Sequence, residues 1–274
     1  MPVFVLARSC LLRGLAALFT GGLAVGGYYC ATDEALNPIT GEEQRVGLTV
    51  EQEVALGTRA APELVAQFGG LHPDAQAQRA LDRIGDRLVA GSVAEETPYP
   101  FTFGLLADAE TVNAFALPGG PIFVTAGLAR RLGEAELAGV LAHEVAHVVA
   151  RHAAEQLAKE RLTQGLAGAA AILSSDGEGG AGAAVAQAVG RVVGMRHGRE
   201  DELEADRLGV RIMAEAGYDP RAMIEVMRTL AATGPGARLP EFFSTHPNPD
   251  DRIAEIEAAI AEQYPDGLPA GSGP

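Results

Sequence analysis

Tryptophan is absent from this sequence of 274 residues, and aromatic residues make up only 5% of it. Apolar residues nevertheless reach 47%, so alanine and leucine must fill most of the interior. Alanine and leucine are strong helix formers. The composition therefore favours packed helices and argues against a β-sandwich.

Cysteine is also scarce, with Cys10 and Cys30 as the only two. Both lie in residues 1–30, where Arg8 and Arg13 precede an uncharged apolar run. This layout is typical of an export signal, and a buried core helix is the alternative, although the glycines in the run disfavour it. We therefore expect export to the periplasm and no disulfide within the chain that follows.

Cys30 lies directly after the apolar run, at the position that a lipoprotein signal gives to its lipidated cysteine. Tyr28 and Tyr29 occupy positions where such a signal needs small residues. Lipidation therefore stays open, and so does membrane association through Cys30 or through an uncleaved signal.

Basic side chains are outnumbered, because 21 lysines and arginines face 36 aspartates and glutamates. The first acidic residue is Asp33, so the acidity belongs to the chain after the signal. A formal net charge of −15 repels phosphate backbones. The charge therefore argues against a nucleic acid partner.

The predicted elements follow the order helices, small sheet, helices, which indicates an α+β fold in one domain. The sequence predicts an export or lipoprotein-type signal over residues 1–30, an extended arm over 31–48, a folded domain over 49–263 and a disordered tail over 264–274. It predicts helices at about 49–68, 73–90, 134–159, 200–216, 220–231 and 249–263, and strands at about 101–106, 113–117 and 121–125. The Pro-Gly-Gly sequence at 118–120 predicts a hairpin turn between the last two strands.

The strongest motif lies in the predicted helix 134–159, where HEVAH occupies residues 143–147. Residues four apart share one helix face, so His143 and His147 can reach one zinc ion at about 2.0–2.1 Å. Glu144 is turned about 100° away, beside the metal, where it can accept a proton from an attacking water. The flanking residues are apolar, and these three polar side chains among them would be costly without a metal. We therefore expect one Zn²⁺ per chain.

A catalytic zinc needs a third protein ligand, and the acidic stretch 202–206 offers candidates. Glu202 and Asp206 lie four residues apart on one helix face. This spacing resembles the gluzincin pattern, which implies that the glutamate binds zinc and that the aspartate four residues on hydrogen-bonds a ligand histidine from behind. Glu204 faces another side of the helix and ranks second. A solvated acidic helix face is the alternative.

Four motifs occur in a fixed order along the chain: NAFALPGGPIFVTAGL at Asn113–Leu128, HEVAH, REDELEADRLG at Arg199–Gly209 and THPNPDDRI at Thr245–Ile253. Together they resemble the HtpX and CAAX-prenyl-protease family of gluzincin zinc metallopeptidases. The resemblance covers roughly residues 36–262 and is greatest to the soluble periplasmic, BepA-like branch. Larger members of that branch add a helical-repeat domain, and we expect this chain to be without it because no repeat of fixed period follows the motifs.

The resemblance implies a mostly helical zincin-type domain whose small sheet has an edge strand bordering the active-site cleft. Asn113, Ala114 and Phe115 would form that strand, along which the substrate lies. His197-Gly198 departs from the Tyr-Ser that relatives often carry at this wall of the site.

The resemblance also implies that Glu202 is the third zinc ligand and that His246 lies at the active site. In some relatives the equivalent histidine fills the fourth zinc position as a removable latch. On spacing alone, a simple turn before a helix is the favoured interpretation of His246. Arg252 suits either an assisting charge or a structural ion pair, and His152 is interpreted as a packing or surface residue.

These features predict a zinc-dependent metalloendopeptidase that hydrolyses unfolded or misassembled envelope proteins, with Glu144 as general base and His246 assisting. The quality-control role rests on the resemblance alone. The alternative is a zinc-binding chaperone or adaptor that holds polypeptides without cleaving them. Loss of function in Glu144→Gln with zinc still bound would separate the two.

Overall fold

The computed structural model describes residues 3–174, 197–232, 240–246 and 249–268, which fall into two compact units. The first unit comprises the described residues of Met1–Leu48 and Ala154–Ala184. The second comprises those of Thr49–Ala153 and Val185–Pro274. Of the predicted tail at 264–274, residues 269–274 lie outside the described part.

The first unit begins with helix α1 (Val3–Ala31), followed by strands β1 (Asp33–Leu36) and β2 (Glu43–Val46). The two strands pair antiparallel, so a hairpin occupies the segment that was predicted to be an extended arm. Asn37 nucleates its turn, since the side-chain oxygen accepts hydrogen bonds from the amides of residues 39 and 40. Within the described residues, no helix combines the length and the apolar character that a membrane span requires.

The second unit opens with helices α2 (Val50–Gln67) and α3 (Ala75–Ala90). Thr49 and Gln52 form a capping box at the start of α2, with the Gln52 side chain accepting from the Thr49 amide at 2.9 Å. Asp74 caps α3 through its carboxylate. Leu81, Ile84 and Leu88 of α3 are buried and form its apolar face.

A three-stranded sheet follows, built from β3 (Thr102–Leu106), β4 (Ala114–Ala116) and β5 (Pro121–Thr125). The strand order is β3-β5-β4, with β3 parallel and β4 antiparallel to β5. The turn predicted at 118–120 joins β4 to β5, and Gly119 and Gly120 adopt positive φ there. In the order β3-β5-β4, β4 is an edge strand, as the family resemblance implied.

Helix α2 meets this turn backbone to backbone. A Cβ at Gly57 would overlap the carbonyl oxygen of Pro118, and a Cβ at Gly119 would overlap the backbone of Val54. Only glycine permits this approach, so α2 and the turn form a joint with no side chain between them.

The opposite edge of the sheet, along β3, is already covered. The side-chain amide of Gln78 donates to the Phe103 carbonyl and accepts from the Leu105 amide, both at 2.8 Å. The backbone of residues 70–72 pairs with the rest of this edge. Within the described residues, β4 is therefore the edge of this sheet that is left less covered by backbone pairing.

The helix predicted over 134–159 is wrong in one respect, because it is broken. Helix α5 (Glu134–Val149) ends two residues before helix α6 (His152–Ser174) begins. Arg151 lies between them with φ 61°, a left-handed conformation that no proline or glycine signals. Its side chain forms an ion pair with the buried carboxylate of Glu53, which also accepts a hydrogen bond from Tyr99. This distant partner stabilises a break that helix periodicity could not predict.

The short helix α4 (Ala126–Ala129) lies between β5 and α5. The last helices of the unit are α7 (Arg199–Glu215), α8 (Ala222–Ala231), α9 (Phe242–Thr245) and α10 (Pro249–Gln263). α5 is buried from Ala138 to Val149, where it packs against α7, α8 and β4. α10 packs against α7 on its other side. The α+β, mostly helical fold class is confirmed, with α5 as its central element.

Candidate metal centre

The two histidines of HEVAH lie one turn apart on α5, at the centre of the second unit. Both are 2% exposed, and their Nε2 atoms lie 3.0 Å apart. α7 brings Glu202 against both, with Oε2 at 3.3 Å from His143 Nε2 and Oε1 at 3.5 Å from His147 Nε2. Helical spacing places the two histidines together, and the packing of α7 against α5 adds Glu202.

His246 joins the same group from the end of α9. Its Nδ1 lies 3.3 Å from His143 Nε2 and 3.1 Å from Glu202 Oε1. Its ring stacks on Phe242 with the ring centroids 4.6 Å apart, which fixes the direction of the imidazole. Its other ring nitrogen, Nε2, lies 3.3 Å from Glu144 Oε1, so the His246 ring contacts Glu144 as well as His143 and Glu202.

The spacing of these donor atoms matches a tetrahedral zinc site. Bonds of about 2.0–2.1 Å in a tetrahedron place the ligand atoms about 3.3–3.4 Å from one another. The five distances among the nitrogens of His143, His147 and His246 and the oxygens of Glu202 run from 3.0 to 3.5 Å. Three imidazoles and one carboxylate whose donor atoms converge at this spacing are a ligand set that zinc prefers. The residues present therefore fit zinc.

Asp206 lies behind His143, as its spacing from Glu202 predicted. Its Oδ1 is 3.0 Å from His143 Nδ1, so that nitrogen carries the proton and Nε2 is free to bind a metal. Arg252 of α10 donates to both oxygens of Asp206 at 2.6 and 2.7 Å and reaches Glu202 Oε2 at 2.9 Å. Arg252 thus forms a structural ion pair and also places a positive charge within the site, which were the two alternatives that the sequence left open.

These contacts shift the pKa values of the buried groups. Burial and the Arg252 charge lower the pKa of His143, but its hydrogen bonds to Asp206 and Glu202 outweigh them and raise it to about 9. Burial raises the pKa of Glu144, against the opposing effect of His246 and His143. Burial also lowers the pKa of His147, which keeps that imidazole neutral.

Three further residues, His152, Glu204 and His197, lie around His147. His152 is 1% exposed, and its Nδ1 lies 2.8 Å from His147 Nδ1. Its Nε2 lies 3.2 Å from Glu204 Oε2, so Glu204 faces His152 and is absent from the group of four donors. His197 stacks on His147 with centroids 3.9 Å apart. The helix break at Arg151 brings His152 here, and helix periodicity alone gave no signal for it.

The β4 strand borders the site, with Asn113 immediately before it. Ala116 and the turn after it line a small cleft together with His147, Val148 and Arg151. Asn113 is fully buried, and its side-chain oxygen accepts from the Ala114 amide at 3.0 Å. Among the described residues, its side-chain nitrogen has no hydrogen-bond partner. A buried amide nitrogen without a hydrogen-bond partner costs free energy.

The α5 helix with its histidine pair, the carboxylate from α7 and the bordering edge strand define a metallopeptidase. The model of peptidase family M48 matches residues 75–260, and the chain belongs to that family. The resemblance inferred from the four motifs is thereby confirmed.

Relatives in this family carry two kinds of name. The chain is 31% identical over 264 residues to a beta-barrel assembly-enhancing protease of Yersinia pestis, covering 90% of this chain and 52% of that protein. It is 29% identical over 270 residues to the protein of the same name in Escherichia coli K12, covering 93% and 54%. It is 31% identical over 253 residues to the mitochondrial metalloendopeptidase OMA1 of Schizosaccharomyces pombe, covering 89% and 72%. The chain thus spans about half the length of the beta-barrel assembly-enhancing proteases that it matches.

Proposed function

We propose that this protein is a zinc-dependent endopeptidase that hydrolyses unfolded or misassembled envelope proteins. The observation that carries the proposal is the tetrahedral spacing of His143, His147, Glu202 and His246 around one point, with Glu144 beside them. The names of the relatives support proteolysis and a substrate class connected with β-barrel assembly.

His143, His147 and Glu202 would hold the ion in this proposal, with one Zn²⁺ per chain. Zinc supplies Lewis acidity toward the carbonyl and water oxygens at the fourth position. Asp206 keeps the proton of His143 on Nδ1, which directs the Nε2 lone pair at the metal.

Glu144 acts as the general base and then as the general acid. Its carboxylate accepts a proton from the attacking water and delivers that proton to the leaving amine nitrogen. Burial raises its pKa toward the range in which one group can do both. The neighbouring His246 Nε2, at 3.3 Å from Oε1, holds the carboxylate in place.

His246 serves as the latch in this proposal. With Nδ1 among the other donors, it occupies the corner that water or a carbonyl needs, and the site is at rest. Once a polypeptide displaces it, the same imidazole can donate a hydrogen bond to the oxyanion. Arg252 fixes the charges of Glu202 and Asp206 in both states.

The substrate adds to β4 as a further strand. Leu117 N donates to Pro121 O, and Thr125 N donates to Asn113 O, so the backbone groups of Ala114 and Ala116 point away from β5. The Ala114 amide donates to Asn113 Oδ1, so among the described residues the Ala116 amide is the donor on this strand that an added strand can reach. Main-chain pairing at this edge recognises extended backbone of any sequence. That tolerance suits unfolded chains.

Export to the periplasm is part of the same proposal. The basic and apolar pattern of residues 1–30 supports an export signal. Cys30 is exposed and is the point at which a lipid anchor would be attached.

A zinc-binding chaperone or adaptor is the second candidate. It is favoured by the four protein donors, since a closed set of four is typical of structural zinc sites. The placement of Glu144 favours the protease, because a binding module has no use for a buried base at this point.

Metal analysis beside digestion of unfolded casein tests the proposal, with Glu144→Gln as the matched variant. We expect one zinc per chain in both proteins and at least about a 10²-fold loss of cleavage in the variant. Wild-type protein that binds zinc and cleaves nothing would favour the adaptor. Equal cleavage by the variant would remove Glu144 from the mechanism.

A further inference from the structure

We propose that His152 and Glu204 form a relay that positions the imidazole of His147 for metal binding. This inference rests on the proposed function in one respect, since it takes His147 to be a zinc ligand. His152 and Glu204 are positioning residues in this relay and do not touch the substrate.

The helix break at Arg151 is what makes the relay possible. On a continuous helix, His152 would stand about 140° around the axis from His147, because five residues advance the direction by about 500°. The positive φ of Arg151 turns the chain back, and α6 starts at His152. As a result, His152 Nδ1 lies 2.8 Å from His147 Nδ1, within the buried interior.

The hydrogen bonds can be satisfied in one arrangement of protons. His147 Nε2 faces His143 and Glu202, so it must present a lone pair to the metal, and its proton lies on Nδ1. That proton is donated to His152 Nδ1, which must therefore be the acceptor. His152 then carries its proton on Nε2 and donates it to Glu204 Oε2 at 3.2 Å. The Glu204 carboxylate thus fixes the tautomer of His152, and His152 in turn fixes the tautomer of His147.

The two ligand histidines consequently receive different support. Asp206 contacts His143 directly at 3.0 Å, whereas Glu204 reaches His147 only through an intervening imidazole. A neutral imidazole is a weaker acceptor than a carboxylate. The relay therefore orients His147 while leaving it a less basic ligand than His143.

A competing assignment is a second metal site, because His147, His152 and His197 also cluster closely. Such a site would need both nitrogens of His147 as ligands, together with His152 Nδ1. The relay requires the opposite, a proton between those two Nδ1 atoms. Metal stoichiometry distinguishes the two assignments.

Zinc affinity, measured on the full chain by competition with a chromophoric chelator, tests the relay. We expect His152→Leu to weaken zinc binding by about 10- to 100-fold, as is usual when the group behind a ligand is lost. His152→Asn places an acceptor oxygen near the position of Nδ1 and should recover most of the affinity. Glu204→Gln should cause a smaller loss, with Glu200→Gln on the exposed side of α7 as the matched control.

Cobalt substitution supplies a second measurement that is independent of proteolysis. The visible absorption of bound Co²⁺ should change in His152→Leu and return in His152→Asn, which a purely structural role of His152 would not produce. Unchanged zinc affinity and an unchanged cobalt spectrum in His152→Leu would overturn the relay. So would two zinc ions per wild-type chain with one lost in the variant. Wild-type protein that binds zinc but cleaves nothing contradicts the proposed function and leaves the relay standing, so the two failures are distinguishable.

Discussion

The proposal gives the His246 imidazole two roles, as the latch at rest and as a hydrogen-bond donor to the oxyanion, and substitution of His246 separates them. Because Nδ1 fills the fourth corner of the donor group, His246→Ala should open that corner while His143, His147 and Glu202 retain zinc. We expect faster basal cleavage of loosely folded substrates, followed in a discontinuous assay with zinc content measured in parallel. A fall of about 10²-fold would instead show that oxyanion stabilisation dominates. Unchanged kinetics would place His246 outside the reaction.

Arg252 is 1% exposed and compensates two buried carboxylates. Arg252→Met should cost about 3–5 kcal/mol of unfolding free energy in the metal-free protein, since it breaks a buried ion pair and leaves His143 as the remaining cation beside the two carboxylates. Zinc should reduce the cost by compensating Glu202. Urea denaturation after chelation measures the effect, and Arg228→Met is the matched control.

Arg228 also forms an ion pair, with Glu225 at 2.6 Å, but both side chains are more than half exposed. A surface pair of this kind contributes at most about 1 kcal/mol. Equal destabilisation by the two substitutions would show that the buried network is not under electrostatic control.

At the scale of elements, β4 carries the substrate in this proposal, and its backbone can be tested directly. Ala116→Pro removes an amide that faces the open edge without removing a hydrogen bond to β5. We expect kcat/KM on unfolded polypeptide to fall by about tenfold or more, with zinc content unchanged. Ala116→Val keeps the amide and is the control. Equal activity of the two variants would mean that substrate does not pair with this strand.

Local sequence signals predicted some elements and not others, for physical reasons. β4 and β5 were predicted because Pro118-Gly119-Gly120 marks the turn between them. The parallel pairing of β3 with β5 depends on contacts between distant segments, and no local pattern encodes it. The break at Arg151 depends in the same way on Glu53, which lies 98 positions earlier.

The residues of the site also divide into those that a local sequence pattern predicted and those that depend on distant contacts. Spacings of four residues are read directly from a helix, and they brought together His143 with His147 and Glu202 with Asp206. His246 came only from the resemblance to a family, because a single histidine before a turn carries no pattern. His152 could not be recognised, since its place depends on the break in the helix before it.

For the whole molecule, metal and pH should act on stability together. In the metal-free chain, the pKa of His143 is raised to about 9, so its stabilising protonation is complete below about pH 6.5 and is lost as pH rises through 9. Zinc requires the neutral imidazole, so its stabilising effect grows over the same range. The Tm difference between zinc-loaded and chelated protein should therefore widen from pH 6.5 to 9. A constant or narrowing difference in differential scanning fluorimetry would contradict this linkage.

The backbone joint between α2 and the turn at Gly119 has a consequence for the thermodynamics of recognition. Ordering a flexible side chain at an interface costs about 0.5–1.5 kcal/mol, and at this joint the closest atoms belong to the backbone. Under the proposed pairing of substrate with β4, little of the protein beside this joint would need to be ordered, and most of the entropy lost on binding would come from the incoming polypeptide. Affinity should then follow the stiffness of the substrate: segments already extended in solution will bind more tightly than equally apolar segments that are fully flexible.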